Sequence, residues 1–182
     1  DYKEYTSIGY KTPRSIDGIV SRIKKYVDKI DWDVKNLNER QRKCAEALMN
    51  YLGVYRYRMQ ILSYDAKEDR ELFESGFIRC TYDKPDLTEE DVDQYIIYSN
   101  EVVISKNISR SINKFQEKLD EDMEGDDDHK AQIKQAFVEA ISTMRNEYNA
   151  SIKRQGELLK VLTTKRSDRI NKLKEENANF LH

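Results

Sequence analysis

The sequence predicts an all-α protein in which a short N-terminal helical domain is followed by a long, coiled-coil-like antiparallel helical hairpin. Only 6 glycines and 2 prolines occur in 182 residues, too few for the many turns of an all-β domain. Apolar residues recur at steps of three and four over long stretches, which is the spacing of one helix face. Charged residues make up 36% of the chain, as expected for helices with one solvent-exposed side.

Composition and local signals divide the chain into four parts. Residues 1–14 have no helical spacing and are predicted to form an extended arm. Residues 15–76 form the predicted basic helical domain, and residues 77–87 a connector that contains Pro85. Residues 88–182 form the predicted hairpin.

The first helix is predicted to start after the N-cap Ser15 and to end near residue 30, with apolar residues at steps of four and three. A second helix opens at Asn38, because Gln41 stands three residues later in a capping-box arrangement. Gly53 weakens the middle of this helix and is compatible with a break there. The predicted buried stripe of the second helix is Ala45, Leu48, Leu52, Tyr55, Met59 and Leu62.

A third, short helix is predicted at residues 66–75, closed by Gly76. The alternation in residues 77–82 is compatible with one short strand. The hairpin then begins at Thr88, an N-cap followed by three carboxylates that favour the positive end of the helix dipole.

The two hairpin helices carry apolar lines that predict their core. The stripes are wider than one partner helix covers, so a homo-oligomer is expected. The residues predicted to form the hairpin core or the contacts between copies are Ile97, Ile104, Ile108, Phe115, Leu119, Phe137, Ile141, Met144 and Tyr148.

Charge is segregated along the chain, although the net charge is only -2. Residues 85–128 contain 4 basic and 14 acidic residues, whereas residues 129–182 contain 11 basic and 6 acidic ones. Opposite charges favour folding of these two segments onto each other. Residues 1–58 contain 13 basic and 8 acidic residues, so a polyanion is expected to bind there.

Two short helices joined by a basic loop suit a helix-turn-helix-like contact to the backbone of double-stranded DNA. The alternative is an ordinary solvated helix surface, since acidic residues interleave with the lysines. The candidate DNA-binding residues are Lys24, Lys25, Lys29, Lys35, Arg40, Arg42, Lys43, Arg56 and Arg58.

No catalytic constellation, cofactor motif or metal site is evident, so a non-enzymatic protein without cofactor is expected. The acidic turn at residues 120–128 resembles the start of a calcium-binding loop, but Ala131 stands where the bidentate glutamate is needed. Two cysteines lack metal-ligand spacing. Mean hydropathy is -0.89, and neither a membrane-spanning run nor a secretory signal is visible, so a cytoplasmic protein is expected.

Several segments resemble the small subunit of the tailed-bacteriophage terminase. Residues 37–46 (LNERQRKCAE) resemble the "L-x-x-[KR]-Q-x-x-F-[VA]-E" opening of some members, with Cys44 in place of the aromatic residue. The segments 85–93, 152–155 and 165–169 are similar to hairpin regions of such subunits.

This resemblance implies a DNA-recognition and oligomerisation subunit of a viral genome-packaging machine. Such subunits combine an N-terminal DNA-recognition domain with a hairpin that assembles into a ring, and they meet the terminase large subunit. The expected location is then the cytoplasm of the host. A rival interpretation is a cytoplasmic coiled-coil scaffold or adaptor that does not bind nucleic acid.

Overall fold

The computed structural model of the chain describes residues 9–121 and 124–180. The prediction of an all-α fold is confirmed, because the described residues contain helices and no strand. They form a short 3-10 turn at Val34–Asn36 and the following α-helices: α1 (Ile16–Tyr26), α2 (Glu39–Gly53), α3 (Tyr55–Leu62), α4 (Lys67–Thr81), α5 (Glu89–Asp120) and α6 (Asp127–Phe180). None of the helices among these residues is long and apolar enough to cross a membrane.

The chain divides into two compact units. The first unit extends through Asn100 and includes the chain from Leu158 onward, and the second unit is Glu101–Glu157. Helices α5 and α6 therefore contribute to both units. The first unit contains α1 to α4 together with the start of α5 and the end of α6.

Helices α1, α2 and α5 begin at the N-cap residues that the sequence predicts. The Ser15 side chain accepts a hydrogen bond from the Gly18 backbone amide at 3.1 Å. Asn38 and Gln41 form a complete capping box at the start of α2. Thr88 and Asp91 form a similar reciprocal pair before α5, with both hydrogen bonds at 3.1 Å. Each cap satisfies backbone amides that have no partner within the helix.

The helix does break after Gly53, and the stripe predicted beyond this point is wrong. Val54 is extended, so α3 starts with a new helical phase. Tyr55 and Met59 are 66% and 50% exposed, and the buried residues are Tyr57 and Ile61 instead. A stripe can be extrapolated only along one continuous helix.

Helix α4 does not end at Gly76, and residues 77–81 are helical rather than a strand. Phe73, Phe77 and Ile78 are fully buried on one face of α4. Burial of such side chains stabilises by roughly 2 kcal/mol each, which outweighs the cost of about 1 kcal/mol for a glycine inside a helix. The predicted connector therefore shrinks to the residues between Thr81 and Glu89.

The described end of the predicted arm is packed rather than free. Tyr10 is buried, and its hydroxyl donates a hydrogen bond to Glu74 at 2.5 Å. Residues 1–8 of the arm, the end of the hairpin at residues 181–182 and the predicted turn residues 122–123 lie outside the described residues.

Helix α6 packs against α5 in antiparallel orientation. In the second unit Glu101 pairs with Arg154, while Phe115 packs edge to face on Phe137 with ring centroids 5.4 Å apart. In the first unit Arg166 pairs with Asp86 at 2.9 Å. The acidic segment and the basic segment thus meet, as their charges predict.

Two residues of the predicted core line of α5 are exposed in the single chain. Ile97 and Ile104 are 39% and 38% exposed. Ile96 and Ser99 in the first unit, and Val103 in the second, are buried instead. Small serines, whose hydroxyls donate to backbone carbonyls one turn earlier, occupy buried positions of α5, so the apolar spacing alone does not locate its buried side in the single chain.

Candidate nucleic-acid interface

The nine candidate DNA-binding residues all lie in the first unit, on α1, α2, α3 and the chain between α1 and α2. Lys24 and Lys25 lie in the last turn of α1, Lys29 lies after this helix, and Lys35 lies in the 3-10 turn. Arg40, Arg42 and Lys43 lie in the first turns of α2, and Arg56 and Arg58 lie in α3. The structure separates them into three sets.

Three of the nine pair with carboxylates. Lys25 pairs with Glu71 at 3.2 Å, Lys43 with Glu39 at 3.0 Å, and Arg56 with Asp93 at 2.8 Å. Their charge is locally balanced, so they add little to the potential that a distant anion meets.

Five of the nine are exposed, and no carboxylate of the described chain pairs with them. They lie at the end of α1, in the following loop and at the start of α2, helices that pack against each other. This set is called the basic face, and its members are Lys24, Lys29, Lys35, Arg40 and Arg42.

Two features of the basic face lower the stability of the fold. Arg40 and Arg42 lie at the positive end of the α2 dipole, where cations weaken a helix and anions bind. Lys29 has a φ of 56°, in the left-handed region that favours glycine. Such local costs occur often at functional sites.

A buried polar cluster fixes α1 against α4. The Glu74 carboxylate, 2% exposed, accepts hydrogen bonds from Arg22 at 2.6 Å and from the Tyr26 hydroxyl at 2.9 Å, besides that from Tyr10. Burial and the Glu74 charge raise the pKa of Tyr10 and of Tyr26, so both remain neutral donors at ordinary pH. The helix that carries Lys24 is thereby held in one position.

The sequence contains a weak signal for this cluster, which apolar spacing does not reveal. Glu74 lies between Phe73 and Phe77 on the buried face of α4, where a charge requires a partner. Its main partner, Arg22, is 52 residues away. Spacing arguments within one helix do not reveal such a pair.

A cleft lined partly by basic side chains lies beside the N-terminus of α1, and one of them, Arg22, is paired with Glu74. A cleft of about 810 Å³ is lined by residues 11–15, one side of α1, the end of α2 and Arg58 of α3. Of the nine candidates it includes Arg58 alone, and its other cations are Lys11, Arg14 and Arg22. These residues are scattered in sequence, so they form no visible motif.

The basic residues of α6 instead face acidic partners. Arg154 pairs with Glu101 at 2.8 Å in the second unit, and Lys165 with Glu90 at 3.4 Å in the first. Burial acts to raise the pKa of Asp86, but hydrogen bonds from Arg166 and its charge outweigh this and lower that pKa. These contacts support the hairpin.

No cluster of three metal-binding side chains occurs within residues 9–121 and 124–180. The acidic turn contains Asp122, which lies outside these ranges. Comparisons of the chain with family models, with curated proteins and with solved structures found no match.

Proposed function

We propose that this protein is a non-catalytic DNA-binding protein that holds the phosphate backbone of duplex DNA on the basic face. The observation that carries the proposal is the set of five exposed cations without carboxylate partners in the described chain, grouped around the joined ends of α1 and α2. Lysine and arginine contacts to phosphates supply most of the sequence-independent affinity for DNA.

Each of these contacts is weak alone, because water and salt screen an exposed charge. Several copies of the chain holding one DNA would add their contacts through effective concentration. Self-association through the hairpin is therefore part of the proposal. Exposed apolar side chains on α5 and α6, such as Ile104, Val138 and Ile152, support it.

Together with the resemblance in residues 37–46 and 85–93, these features favour one biological role. The role is DNA recognition and oligomerisation in a viral genome-packaging terminase, without ATPase or nuclease activity. The partners would be further copies of the chain, double-stranded DNA and the terminase large subunit, in the cytoplasm of the host.

Charge reversal of the basic face tests DNA binding. The variant carries Lys24→Glu, Lys29→Glu, Arg40→Glu and Arg42→Glu, and the matched control carries four exposed cations reversed elsewhere (Lys114→Glu, Lys134→Glu, Arg145→Glu and Lys160→Glu). Fluorescence anisotropy with labelled duplex DNA is measured over a salt series. For the wild type, log K falls linearly with log salt, and the slope shrinks by about 0.9 for each phosphate that the variant no longer neutralises.

The basic-face variant should lose measurable binding, while the control should retain most of it. Equal losses in the two variants would indicate a general effect of net charge and would contradict the basic face. A wild-type chain without salt-dependent DNA binding would contradict the proposed function.

A scaffold or adaptor that does not bind nucleic acid is the second candidate. Val161 and Leu173 on α6 are more than half exposed, which suits a hairpin that packs against another protein. Light scattering separates the two, because the scaffold needs no self-association and no DNA. A chain that is strictly monomeric and does not bind DNA at low salt would favour the scaffold.

A further inference from the structure

Two aromatic side chains line a small cavity at the start of α2. The cavity has a volume of about 270 Å³, and its wall includes Trp32 of the loop before α2 and Tyr82 at the C-cap of α4. Their ring centroids lie 6.0 Å apart at an interplanar angle of 59°, so the two rings contact each other. Both side chains are partly exposed. This aromatic pair therefore leaves ring surface available to a planar ligand.

The cavity adjoins the basic face, because Arg40 belongs to both. Arg40 is exposed, and no carboxylate within residues 9–121 and 124–180 pairs with it. The loop that contains Trp32 also contains Lys29 and Lys35, each three residues away along the chain. Three residues span at most about 11 Å, so the backbone positions of both lysines lie within that distance of Trp32.

The rest of the lining suits a nucleobase better than a phosphate. Cys44 is 2% exposed, and burial raises the pKa of its thiol, so this part of the wall is neutral at ordinary pH. The Asp83 carboxylate also lines the cavity, and it pairs with Lys84 at 3.0 Å while its side chain stays 47% exposed. A carboxylate repels phosphate oxygens, whereas it accepts hydrogen bonds from the amino groups of a base.

Aromatic side chains beside a row of cations are the means by which proteins hold single strands, since every base has a face that stacks on a ring. In a duplex the bases stack on one another and are paired, so their faces are closed to a protein side chain. A continuous duplex would use the basic face and leave the aromatic pair empty. The cavity is slightly smaller than the roughly 300 Å³ at which small-molecule pockets begin, which suits a single base.

We propose that the aromatic pair stacks an unpaired base of a DNA strand whose phosphates lie on the basic face. This inference rests on the proposed function and narrows it, because the preferred ligand is then DNA with a single-stranded segment. Arg40 binds a phosphate next to the stacked base, as a guanidinium does through paired hydrogen bonds. The base stacks on the exposed side of the pair, since the two rings already contact each other.

Trp32 reports on the stacking directly, because it is the single tryptophan of the chain. The full chain is titrated with a single-stranded oligonucleotide, with a blunt-ended duplex of the same sequence and with a nucleoside monophosphate. Trp32 emission is recorded with correction for absorption by the nucleotides, and the anisotropy of labelled DNA gives the affinity at the same salt concentration. The single strand should quench Trp32, and the duplex should change its emission little.

Three variants that keep Trp32 test the second ring. Tyr82→Leu removes the ring but keeps an apolar side chain, and Tyr82→Phe retains the ring. Tyr55→Leu is the matched control, because Tyr55 is a 66% exposed tyrosine outside the cavity lining. Tyr82→Leu should weaken single-strand binding about fivefold or more, as expected for loss of a stacking contact, and should change duplex binding less than about twofold. The other two variants should bind the single strand like the wild type.

The inference is overturned if the single strand leaves Trp32 emission unchanged, if the duplex quenches it equally, or if the monophosphate binds more tightly than the strand. A folded Tyr82→Leu chain with wild-type affinity for the strand would overturn it as well. Circular dichroism and thermal melting establish folding, and the quenching measurement uses the wild type alone. Salt-dependent duplex binding without quenching by the strand removes the stacking site and leaves the proposed function intact, whereas a wild type that does not bind the duplex contradicts the proposed function.

Discussion

In the first unit, large side chains such as Tyr57, Phe73 and Phe77 are completely buried, and the Tyr57 ring packs on the two phenylalanines with centroids 5.2 and 4.9 Å apart. In the second unit, the buried side chains of the described chain are Val103, Ile141 and two serines. Four helices and a piece of each long helix enclose the first core, whereas two helices alone form the second unit. Two helices can cover only one stripe of each other.

The same apolar spacing therefore gives an enclosed core in the first unit and a narrow buried stripe in the second. In the first unit the buried surface is large enough to include a charged cluster around Glu74. In the second unit polar side chains share the interface, where Ser151 donates to Glu101 at 2.9 Å and Gln155 donates to Ser105 at 3.1 Å. Such hydrogen bonds favour one register but add little stability.

The largest expected effect compares one phenylalanine from each unit. Phe77→Ala removes a fully buried ring and should cost about 4 kcal/mol, whereas Phe115→Ala removes a half-buried ring and should cost about 1–2 kcal/mol. Urea unfolding measures both, with the fluorescence of Trp32, the single tryptophan, reporting on the first unit. Equal costs would mean that the two units have equally enclosed cores.

A second comparison concerns two carboxylates on α4. Glu74→Ala leaves Arg22, Tyr10 and Tyr26 without their acceptor and should cost about 3 kcal/mol. Glu71→Ala breaks the exposed pair with Lys25 and should cost less than about 1 kcal/mol. Thermal melting of the two variants gives the difference. A Glu74→Ala chain as stable as Glu71→Ala would show that the cluster does not hold α1 in place.

Alkaline pH should destabilise the first unit. Burial raises the pKa of Tyr57 well above its ordinary value of 10.0, and burial and the Glu74 charge do the same for Tyr10. The unfolded chain releases these protons at lower pH than the folded chain. The full stability is therefore present below pH 10 and is lost as the pH rises towards the folded pKa values, by about 1.4 kcal/mol per pH unit for each phenol.

Melting between pH 9 and pH 11, about one unit on either side of the ordinary tyrosine pKa, measures this loss. Tyr57→Phe should reduce the slope, because it removes one of the buried phenols whose pKa is raised. A slope that is the same in Tyr57→Phe and in the wild type would assign the alkaline transition to other groups.

The smallest expected effect on the single chain is at the two exposed residues of the predicted core line of α5. Ile97→Ser and Ile104→Ser alter half-exposed side chains and should change the stability of a single chain by less than about 0.5 kcal/mol. Light scattering on the same variants tests self-association. A reduced oligomer size with unchanged helicity would place these isoleucines between copies of the chain.

The sequence alone determined the features that depend on neighbouring residues. The caps at Ser15, Asn38 and Thr88 and the break at Gly53 depend on hydrogen bonds and backbone preferences within about four residues. The two long helices follow from apolar spacing without interruption, and their antiparallel pairing follows from opposite charge. For this reason the fold class and most helix starts were predicted correctly.

The tertiary structure decided which side of each helix is buried and which charges are matched. Packing between segments distant in sequence decides the helical phase of α3, the continuation of α4 through Gly76 and the exposure of Ile97 in the single chain. The same holds for the candidate site. Composition places nine cations in one region, but only folding pairs Lys25 with Glu71 and brings Lys11 and Arg58 to one cleft. Contacts over such separations follow from the combined packing of several helices, and no single stretch of sequence encodes them.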